Sequence, residues 1–208
     1  MFTNEKNRSY SDEECRLFTE SIMAMGQEWY QYMHGGRSEP DVPTSLMKRF
    51  INFYDGDWIG LIDFDLAMDA WSTKCFYNKK TESISETIIN DIECAEQALA
   101  WAVAIRNNQP IVIEDVETIK EKAPAEYALY KRLDVEAVLA VPYRNNGSGL
   151  MVVRNPQKFK TNYEMLNVMC YVLTSELISI QRRKNISRKT VDYAPKTYIY
   201  PRMIFQNQ

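Results

Sequence analysis

The stretch DGDWIGLIDFD, residues 55–65, contains four aspartates and two glycines and suggests a calcium loop. Such a loop needs oxygen ligands at its first, third and fifth positions, glycine at the sixth and a bidentate glutamate at the twelfth. Counted from Asp55, the fifth position is Ile59 and the twelfth is Leu66, and neither side chain has an oxygen. The middle of the stretch is also too apolar for a solvated chelating loop. We therefore predict no calcium site here.

The same stretch has the period of a half-buried β-strand, because its side chains alternate between two faces. One face carries Ile62, Phe64 and Leu66, and the other carries Leu61, Asp63 and Asp65. An amphipathic strand explains the acids without a metal.

Thiol and imidazole chemistry has few candidate residues. The four cysteines are widely spaced and form no CxxC pair: Cys15, Cys75, Cys94 and Cys170. In a reducing compartment such residues are buried free thiols that pack as small hydrophobes. His34, the only histidine, lies in MHGGRSEP without a second histidine or a cysteine cluster beside it. We interpret His34 as a loop residue and predict no metal site.

The composition is that of a soluble globular protein. Of the 208 residues, 45% are hydrophobic and 25% are charged, which suits one domain with extensions or two small domains. The net charge of −3 gives no general attraction to nucleic acid or to anionic membranes. The chain has no apolar run long enough to span a membrane, and its polar N-terminus does not resemble a signal peptide. We expect a cytoplasmic protein.

The first element is a helix with clear boundary signals. Ser11 and Glu14 form an S-x-x-E capping box, and the pair Gly35-Gly36 ends the helix. Its apolar residues recur at spacings of three and four, as in a helix-to-helix seam: Cys15, Phe18, Ile22, Met25, Trp29 and Tyr32. The stripe is too short to be stable without a partner.

The remaining segments predict an α+β chain. In order they are a short helix at 45–53, strands at 58–66 and 70–77, a helix at 84–107, a strand in IVIEDV, two short helices within 117–132, the hairpin AVLAVPYRNNGSGLMVVRNP, and a last helix of about 23 residues from Thr161 to QRRKN. The cations of QRRKN suit a helix C-terminus. Two strand pairs are joined by short turns, which favours an antiparallel sheet over a parallel one.

Three segments resemble the GAF domain family. The hairpin AVLAVPYRNNGSGLMVVRNP resembles the family's strand ending in Val-Pro, its glycine turn and its following strand. NNQPIVIEDV is similar to the segment that opens the third strand, and KFKTNYEMLNVMCYVLTSELISIQRRK is similar to the closing Phe-Thr-x-x-Glu helix. The resemblance covers about residues 44–185. The PAS family, the nearest alternative, finishes on three successive strands.

The resemblance implies a GAF-like antiparallel central sheet of five to six strands flanked by helices, with the N- and C-terminal helices packed on one face. It places DGDWIGLIDFD in the central first strand beside GLMVVRNP. An ion pair between Asp63 or Asp65 and Arg154 is then one explanation of the acids. The other is that both aspartates face solvent.

GAF domains use a cavity between the sheet and its covering helices, and each ligand class can be compared with this sequence. The cyclic-nucleotide constellation is incomplete, because Asn78 and Lys79 lack the following Phe and Asp-Glu. A bilin would need a cysteine such as Cys94 beside a histidine, and haem would need an axial histidine. The methionine-sulfoxide-reducing branch needs grouped cysteines, and only Cys75 and Cys94 are near the implied cavity. We expect no catalysis, and the cofactor stays unassigned.

What remains is a set of aromatic residues that could stack a flat ligand, with Asp115 as a polar anchor. The ring residues are Trp71, Tyr77, Trp101, Tyr127, Tyr130 and Tyr143. The alternative is that these rings simply fill the core, in which case the domain is a spacer that dimerises.

The terminal helices favour a homodimer through residues 15–32 and 165–180. The closing helix has two apolar lines, one of Leu166, Met169, Leu173, Leu177 and Ile180 and one of Met165, Val168 and Val172. One line could pack on the sheet while the other meets a partner. A purely intramolecular bundle is the alternative.

We divide the chain into an N-terminal helical extension (1–40), a GAF domain (41–186) and a C-terminal tail or linker (187–208), in which 198–200 could add an edge strand. The predicted function is a bacterial-type sensor module that regulates an output domain, such as one for transcription, absent from this chain. The basic residues at 182–189 are interpreted as helix-end charge, so direct nucleic-acid binding is not expected. The alternatives are a ligand-free dimerisation module and a reductase-like redox enzyme using Cys75 or Cys94.

Overall fold

The computed structural model of the protein describes residues 10–35, 41–65, 70–82, 99–144 and 148–192. The helices are α1 (Asp12–Gly35), α2 (Asp41–Tyr54), α3 (Leu99–Asn107), α4 (Pro124–Arg132) and α5 (Tyr163–Asp192), with a 3₁₀ helix at Val116–Ile119. The strands are β1 (Trp58–Asp65), β2 (Ala70–Asn78), β3 (Ile111–Ile113), β4 (Val138–Tyr143) and β5 (Gly149–Arg154). The predicted order of elements is confirmed for the described residues. Most of the predicted helix at 84–107 lies outside them.

The five strands form one antiparallel sheet in the order β2-β1-β5-β4-β3. The predicted α+β class and antiparallel sheet are therefore confirmed. β1 pairs with β5 as the resemblance implied, with Trp58 opposite Arg154 and Ile62 opposite Leu150. The middle position belongs to β5, and β1 lies between β5 and the edge strand β2.

The N-terminus of α1 is fixed by the predicted capping box. The Ser11 hydroxyl accepts a hydrogen bond from the Glu14 amide at 3.2 Å, and the Glu14 carboxylate accepts one from the Ser11 amide at 3.0 Å. This reciprocal pair satisfies two of the amides that a helix start leaves without partners. The helix ends at Gly35, as the glycine pair predicted.

The sheet has a packed core on each face. On the α2–α5 face, Ile59, Leu61, Met151 and Val153 pack with α2 and α5, and Leu17, Phe18 and Ile22 of α1 are partly buried against this cluster. On the α3–α4 face, Trp58, Ile62, Leu150 and Val152 pack with residues of α3 and α4. Alternate residues of β1 therefore serve different cores, as the period of a strand requires.

A β-bulge in β2 interrupts this alternation. Leu61 is opposite Cys75 and Ile62 is opposite Thr73, so Lys74 is an extra residue in the pairing of β1 with β2. An extra residue moves everything beyond it to the other face. Residues before and after Lys74 that would share a face in a regular strand therefore lie on opposite faces of the sheet.

The predicted ion pair between Asp63 and Arg154 is wrong. Arg154 shares the α3–α4 face with Trp58 and has its Nε 3.6 Å from Oδ1 of Asp57. Asp63 lies on the same face of β1 as Ile59 and Leu61, and its Oδ2 is 3.4 Å from Nζ of Lys74. The side chain of Asp65 is outside the described part of the chain.

The three acids of the calcium-like stretch whose side chains are described each have a cationic neighbour. Oδ1 of Asp55 is 2.9 Å from Nζ of Lys79. Oδ2 of Asp57 accepts a hydrogen bond from the Asn155 amide at 2.8 Å, in addition to its contact with Arg154. These contacts join the start of β1 to the ends of β2 and β5.

Helix α5 is longer than predicted. Asn162 caps it, because Oδ1 of Asn162 accepts a hydrogen bond from the Met165 amide at 3.3 Å, and the helix continues for 30 residues to Asp192. No proline or glycine interrupts the chain before Pro195. The cations of QRRKN therefore lie within the helix, where Arg183 lies 2.9 Å from the buried Glu176 carboxylate.

Candidate ligand-binding face

A buried hydrogen-bond chain crosses the α3–α4 face. Nε1–H of Trp101 donates to the Tyr130 hydroxyl at 2.8 Å, and that hydroxyl donates to Oε1 of Glu126 at 2.7 Å. All three residues are buried. A buried polar chain of this kind fixes its members in one geometry, because each lost partner would leave a desolvated group.

The local sequence explains why these side chains meet. In α3, Trp101, Ala104 and Ile105 are buried at the spacing of one helix face. In α4, Pro124 occupies the first turn, where a missing amide costs little. Glu126 and Tyr130 are four residues apart and therefore lie one above the other on the same side of α4.

Burial changes the pKa of the two α4 side chains in this hydrogen-bond chain, Glu126 and Tyr130. Desolvation raises the pKa of Glu126, and hydrogen bonds from Tyr130 and Trp101 oppose this only partly. Desolvation, together with the neighbouring Glu126 carboxylate, raises the pKa of Tyr130 well above its usual value. Tyr130 is therefore protonated throughout the physiological range and serves as a permanent donor.

Aromatic rings continue the chain toward the sheet edge. Trp71 lies edge-on to Trp101 with ring centroids 5.4 Å apart, and Phe64 lies 4.5 Å from Trp71. The Trp101 and Tyr130 rings are 6.4 Å apart. The result is a continuous aromatic row from β1 and β2 to α4 that ends at a carboxyl group.

Trp58 contributes a second buried polar group to this face. Only 1% of its surface is exposed, and its Nε1–H has no hydrogen-bond acceptor among the described residues. Its ring is stacked beside Phe76 at 5.9 Å and lies 5.6 Å from the Arg154 guanidinium. An orphan buried donor is uncommon in a packed interior.

Two predicted site residues lie at the edge of this face and already have partners. The Tyr127 hydroxyl donates to the Glu117 carboxylate at 3.1 Å, and Lys131 contacts the same carboxylate. Asp115 is exposed, and its carboxylate accepts a hydrogen bond from the Glu117 amide at 2.9 Å as the cap of the 3₁₀ helix. The structure therefore assigns Asp115 a capping role.

The predicted aromatic set is divided between the two faces. Trp71, Trp101, Tyr127 and Tyr130 belong to the α3–α4 face. Tyr77 and Tyr143 are buried on the α2–α5 face, where the Tyr143 hydroxyl donates to the Asp63 carboxylate. The bulge at Lys74 explains the position of Tyr77, because it places Phe76 on the face that Tyr77 was expected to occupy. These two tyrosines do not share a site with the other four.

Glu126 and Trp58 are the polar residues of this face that the sequence analysis missed. A signal for Glu126 was present, because a glutamate four residues before a buried tyrosine lies on the same side of a helix. No local sequence pattern predicts that the Trp58 indole N–H lacks an acceptor, because this depends on how several elements pack around it.

The described cysteines differ in accessibility. Cys15 is exposed, and Cys170 is buried. Burial raises the pKa of Cys75 and of Cys170 to about 12. Because the thiolate is the nucleophile, neither thiol is activated in this conformation. Cys94 lies outside the described residues.

The described helices include none whose length and apolar character would allow it to cross a membrane. Met23 and Tyr30 of α1 are exposed apolar side chains that border a groove of about 350 Å³ around Gly26.

The fold is similar to solved GAF-type structures. No family model matches the sequence, and no curated protein matches it. The GAF3 domain of Slr1393 from Synechocystis sp. PCC6803 has a TM-score of 0.52 at 12% identity, over 73% of this chain and 98% of that chain. The free methionine-R-sulfoxide reductase from Neisseria meningitidis, in complex with its substrate, has a TM-score of 0.53 at 12% identity, over 87% and 99%.

A third similar structure, JSC1_58120g3 with bound biliverdin IXα, has a TM-score of 0.53 at 11% identity, over 77% of this chain and 97% of that chain. The similar structures span most of the described elements at low identity, so they establish architecture. The chain has a GAF-like fold.

Proposed function

We propose that this protein is a sensor or regulatory module that binds a small molecule at its α3–α4 face. The observation that carries the proposal is the buried chain Trp101–Tyr130–Glu126, which holds a carboxyl group at the end of an aromatic row. Ligand sites are typically apolar and aromatic with a few fixed polar groups. The α3–α4 face has this composition.

The unpartnered Trp58 indole supports the same proposal. A buried donor without an acceptor costs free energy, and a ligand acceptor would remove that cost. The similar structures add support at the level of fold. The JSC1_58120g3 structure holds biliverdin and the Neisseria reductase holds its substrate, so this fold can enclose small molecules of different chemistry.

We propose that the terminal helices α1 and α5 mediate homodimerisation. Tyr30 of α1 and Tyr171 of α5 are each 66% exposed, and Met23 and Val168 are exposed beside them. Met165 and Leu166 are buried in the core of the same chain. The surface available to a partner on α5 is therefore narrower than residues 165–180 and includes Val168 and Tyr171.

A redox enzyme is the second candidate, because one similar structure is a methionine sulfoxide reductase. The partly buried Cys75 thiol, with its raised pKa, is unfavourable for nucleophilic attack. A ligand-free dimerisation module is the third candidate, and it would apply if side chains fill the α3–α4 face completely.

Native mass spectrometry of the protein purified from its own host tests the proposal. We expect a retained small molecule whose loss lowers the melting temperature. A ligand-free mass, combined with no thermal shift across a metabolite panel, would instead support the ligand-free module. Reduction of free methionine sulfoxide that is lost in Cys75→Ser or Cys94→Ser would support the enzyme.

A further inference from the structure

We propose that the carboxylate of Glu14 couples the first turns of α1 and α5, so that the two terminal helices gain and lose order together. The coupling is a property of the fold and needs no bound ligand, so it goes beyond the proposed function. It gives the protein a route by which a change at the start of either helix reaches the other helix.

Glu14 uses both of its carboxylate oxygens, and each oxygen serves a different helix. Oε2 accepts hydrogen bonds from the Ser11 amide at 3.0 Å and from the Ser11 hydroxyl at 3.2 Å, which completes the capping box of α1. Oε1 accepts a hydrogen bond from Nδ2 of Asn162 at 3.4 Å. Asn162 lies directly before α5, so a residue that caps α1 also contacts the residue that caps α5.

The side chain of Asn162 is shared between the two helices in the same way. Asn162 is fully buried, and its Oδ1 accepts from the Met165 amide of α5 while its Nδ2 donates to Glu14. The buried Tyr54 hydroxyl donates to the Asn162 carbonyl oxygen at 2.8 Å and so holds the backbone from which this side chain extends. Because the side-chain amide is planar, a rotation that breaks one of its two hydrogen bonds also misaligns the other.

The bond between Glu14 and Asn162 sets the axial position of α1. The bond lies at the docked end of the helix, since Met23 and Tyr30 further along are exposed. Three residues in the turns after Glu14 pack on the α2–α5 core: Leu17, Phe18 and Ile22. Sliding α1 by one residue would move it about 1.5 Å along its axis, which is enough to break a hydrogen bond. The docked position of α1 therefore depends on the cap of α5.

Coupling between the two helix starts is reciprocal. If an ordered start of α5 stabilises α1, then an ordered α1 stabilises the start of α5 by the same free energy. A partner or a modification that orders or frays α1 therefore changes the stability of the first turn of α5, a helix of 30 residues.

Glu14→Gln tests the shared carboxylate, because a glutamine side chain has one acceptor oxygen where glutamate has two. The glutamine can complete the capping box or accept from Asn162, but it cannot do both. We measure amide hydrogen exchange as protection factors and expect the first two turns of α1 and the Met165 amide both to lose about threefold to tenfold in protection. Glu13→Gln removes the same charge from an exposed residue of the same turn and is the matched control, with no change expected.

Asn162→Asp tests transmission from α5 to α1. The aspartate keeps an oxygen for the Met165 amide but places its second oxygen against Glu14, where the two carboxylates repel each other. We expect the protection of the first two turns of α1 to fall at least about tenfold, although no residue of α1 has changed. Unchanged protection of α1 would mean that Asn162 only caps α5, and the inference would be wrong.

The double variant, Glu14→Gln with Asn162→Asp, exchanges the donor and the acceptor of this bond. The glutamine N–H donates to the aspartate, and the glutamine oxygen accepts from the Ser11 amide. The second aspartate oxygen accepts from the Met165 amide. We expect both helix starts to recover protection to within about threefold of wild type. A double variant that is no better protected than Asn162→Asp would overturn the inference.

Circular dichroism and sedimentation verify that each variant is folded and has the oligomeric state of the wild type. If Asn162→Asp alone does not fold, recovery of folding in the double variant supports the coupling, and equal protection in Glu14→Gln and Glu13→Gln contradicts it. The coupling and the proposed function fail separately, because a protein that retains no small molecule loses the sensor function without changing any of these expected protection factors.

Discussion

The indole ring of Trp58 lies directly over Gly60, two residues along the same strand. A Cβ placed on Gly60 would be 2.5 Å from Cη2 of Trp58 and 2.8 Å from Cβ of Phe76. The missing side chain is therefore what allows the indole to lie against β1. Trp58 in turn covers the start of the α3–α4 core.

Gly60→Ala should destabilise the protein, because the added methyl group overlaps two side chains that are held in a packed core. We expect a loss of about 1–3 kcal/mol in the free energy of unfolding, measured by urea denaturation. Gly26→Ala is the control, since Gly26 is a helical glycine with no neighbour within 4 Å of the added atom. That variant should be neutral or more stable by up to about 1 kcal/mol. Equal effects of the two changes would show that Trp58 does not depend on the space at residue 60.

The ionisation of Glu126 should make the stability of the protein depend on pH. Burial raises its folded pKa above the unfolded value of 4.5, so folding favours the protonated carboxyl. This contribution is complete below the unfolded pKa and is lost as the pH rises through the folded pKa. Glu126→Gln should therefore gain stability relative to wild type as the pH rises from about 4 to about 8, as measured by thermal unfolding at each pH.

The groups next to this carboxyl do not reverse that sign. Trp101 does not titrate, and Tyr130 keeps its proton because its own pKa is raised well above the usual value. Glu117→Gln is the control of opposite sign. Hydrogen bonds from Lys131 and Tyr127 lower the pKa of Glu117, so its contribution is present above its unfolded pKa and is lost as the pH falls. A parallel pH response of the two variants would contradict this assignment.

The accessible and buried cysteines should differ in alkylation rate. Cys15 should react readily with iodoacetamide, whereas Cys75 and Cys170 should react at least ~100-fold more slowly until the protein unfolds. Peptide mass mapping follows each site separately, and a denatured sample shows that all of them are reactive once exposed. Alkylation of native Cys75 as fast as Cys15 would mean that its thiol is activated, which would favour the redox enzyme.

The exposed tyrosines of the terminal helices should control association. We expect the wild-type protein to sediment as a dimer at micromolar concentration and Tyr30→Glu and Tyr171→Glu to shift it toward monomer. A charge at an interface loses its hydration when the partner binds. Ala128→Glu, on the exposed side of α4, is the control and should leave the dimer intact. A monomeric wild-type protein would remove the dimer proposal.

Features encoded locally could be predicted from the sequence. The capping box of Ser11 and Glu14 and the β4–β5 hairpin each depend on residues within one turn or one strand pair. The predicted end of α5 was wrong. The cations of QRRKN were interpreted as a helix C-terminus, although no proline or glycine ends the helix there. Asn162 and an uninterrupted run to Asp192 determine its length instead.

The candidate site was predicted less well, because it depends on which side chains share a face. Trp71 and Tyr77 are six residues apart and would lie together in a regular strand. The extra residue Lys74 places them on opposite faces, and no feature of the local sequence predicts this bulge. The Asp63–Arg154 pairing failed for a related reason, since the register that places Arg154 beside Asp57 is set by β1 and β5 together.

The bulge at Lys74 also limits how two molecules can associate. An exposed edge strand can pair with a strand of another molecule, and natural proteins prevent this with bulged, lysine-bearing or very short edge strands. One border of this sheet, β2, carries the bulge and a lysine, and the other, β3, has three residues. Neither offers a long flat template for an intruding chain, so the described borders of the sheet do not favour edge-to-edge pairing between molecules.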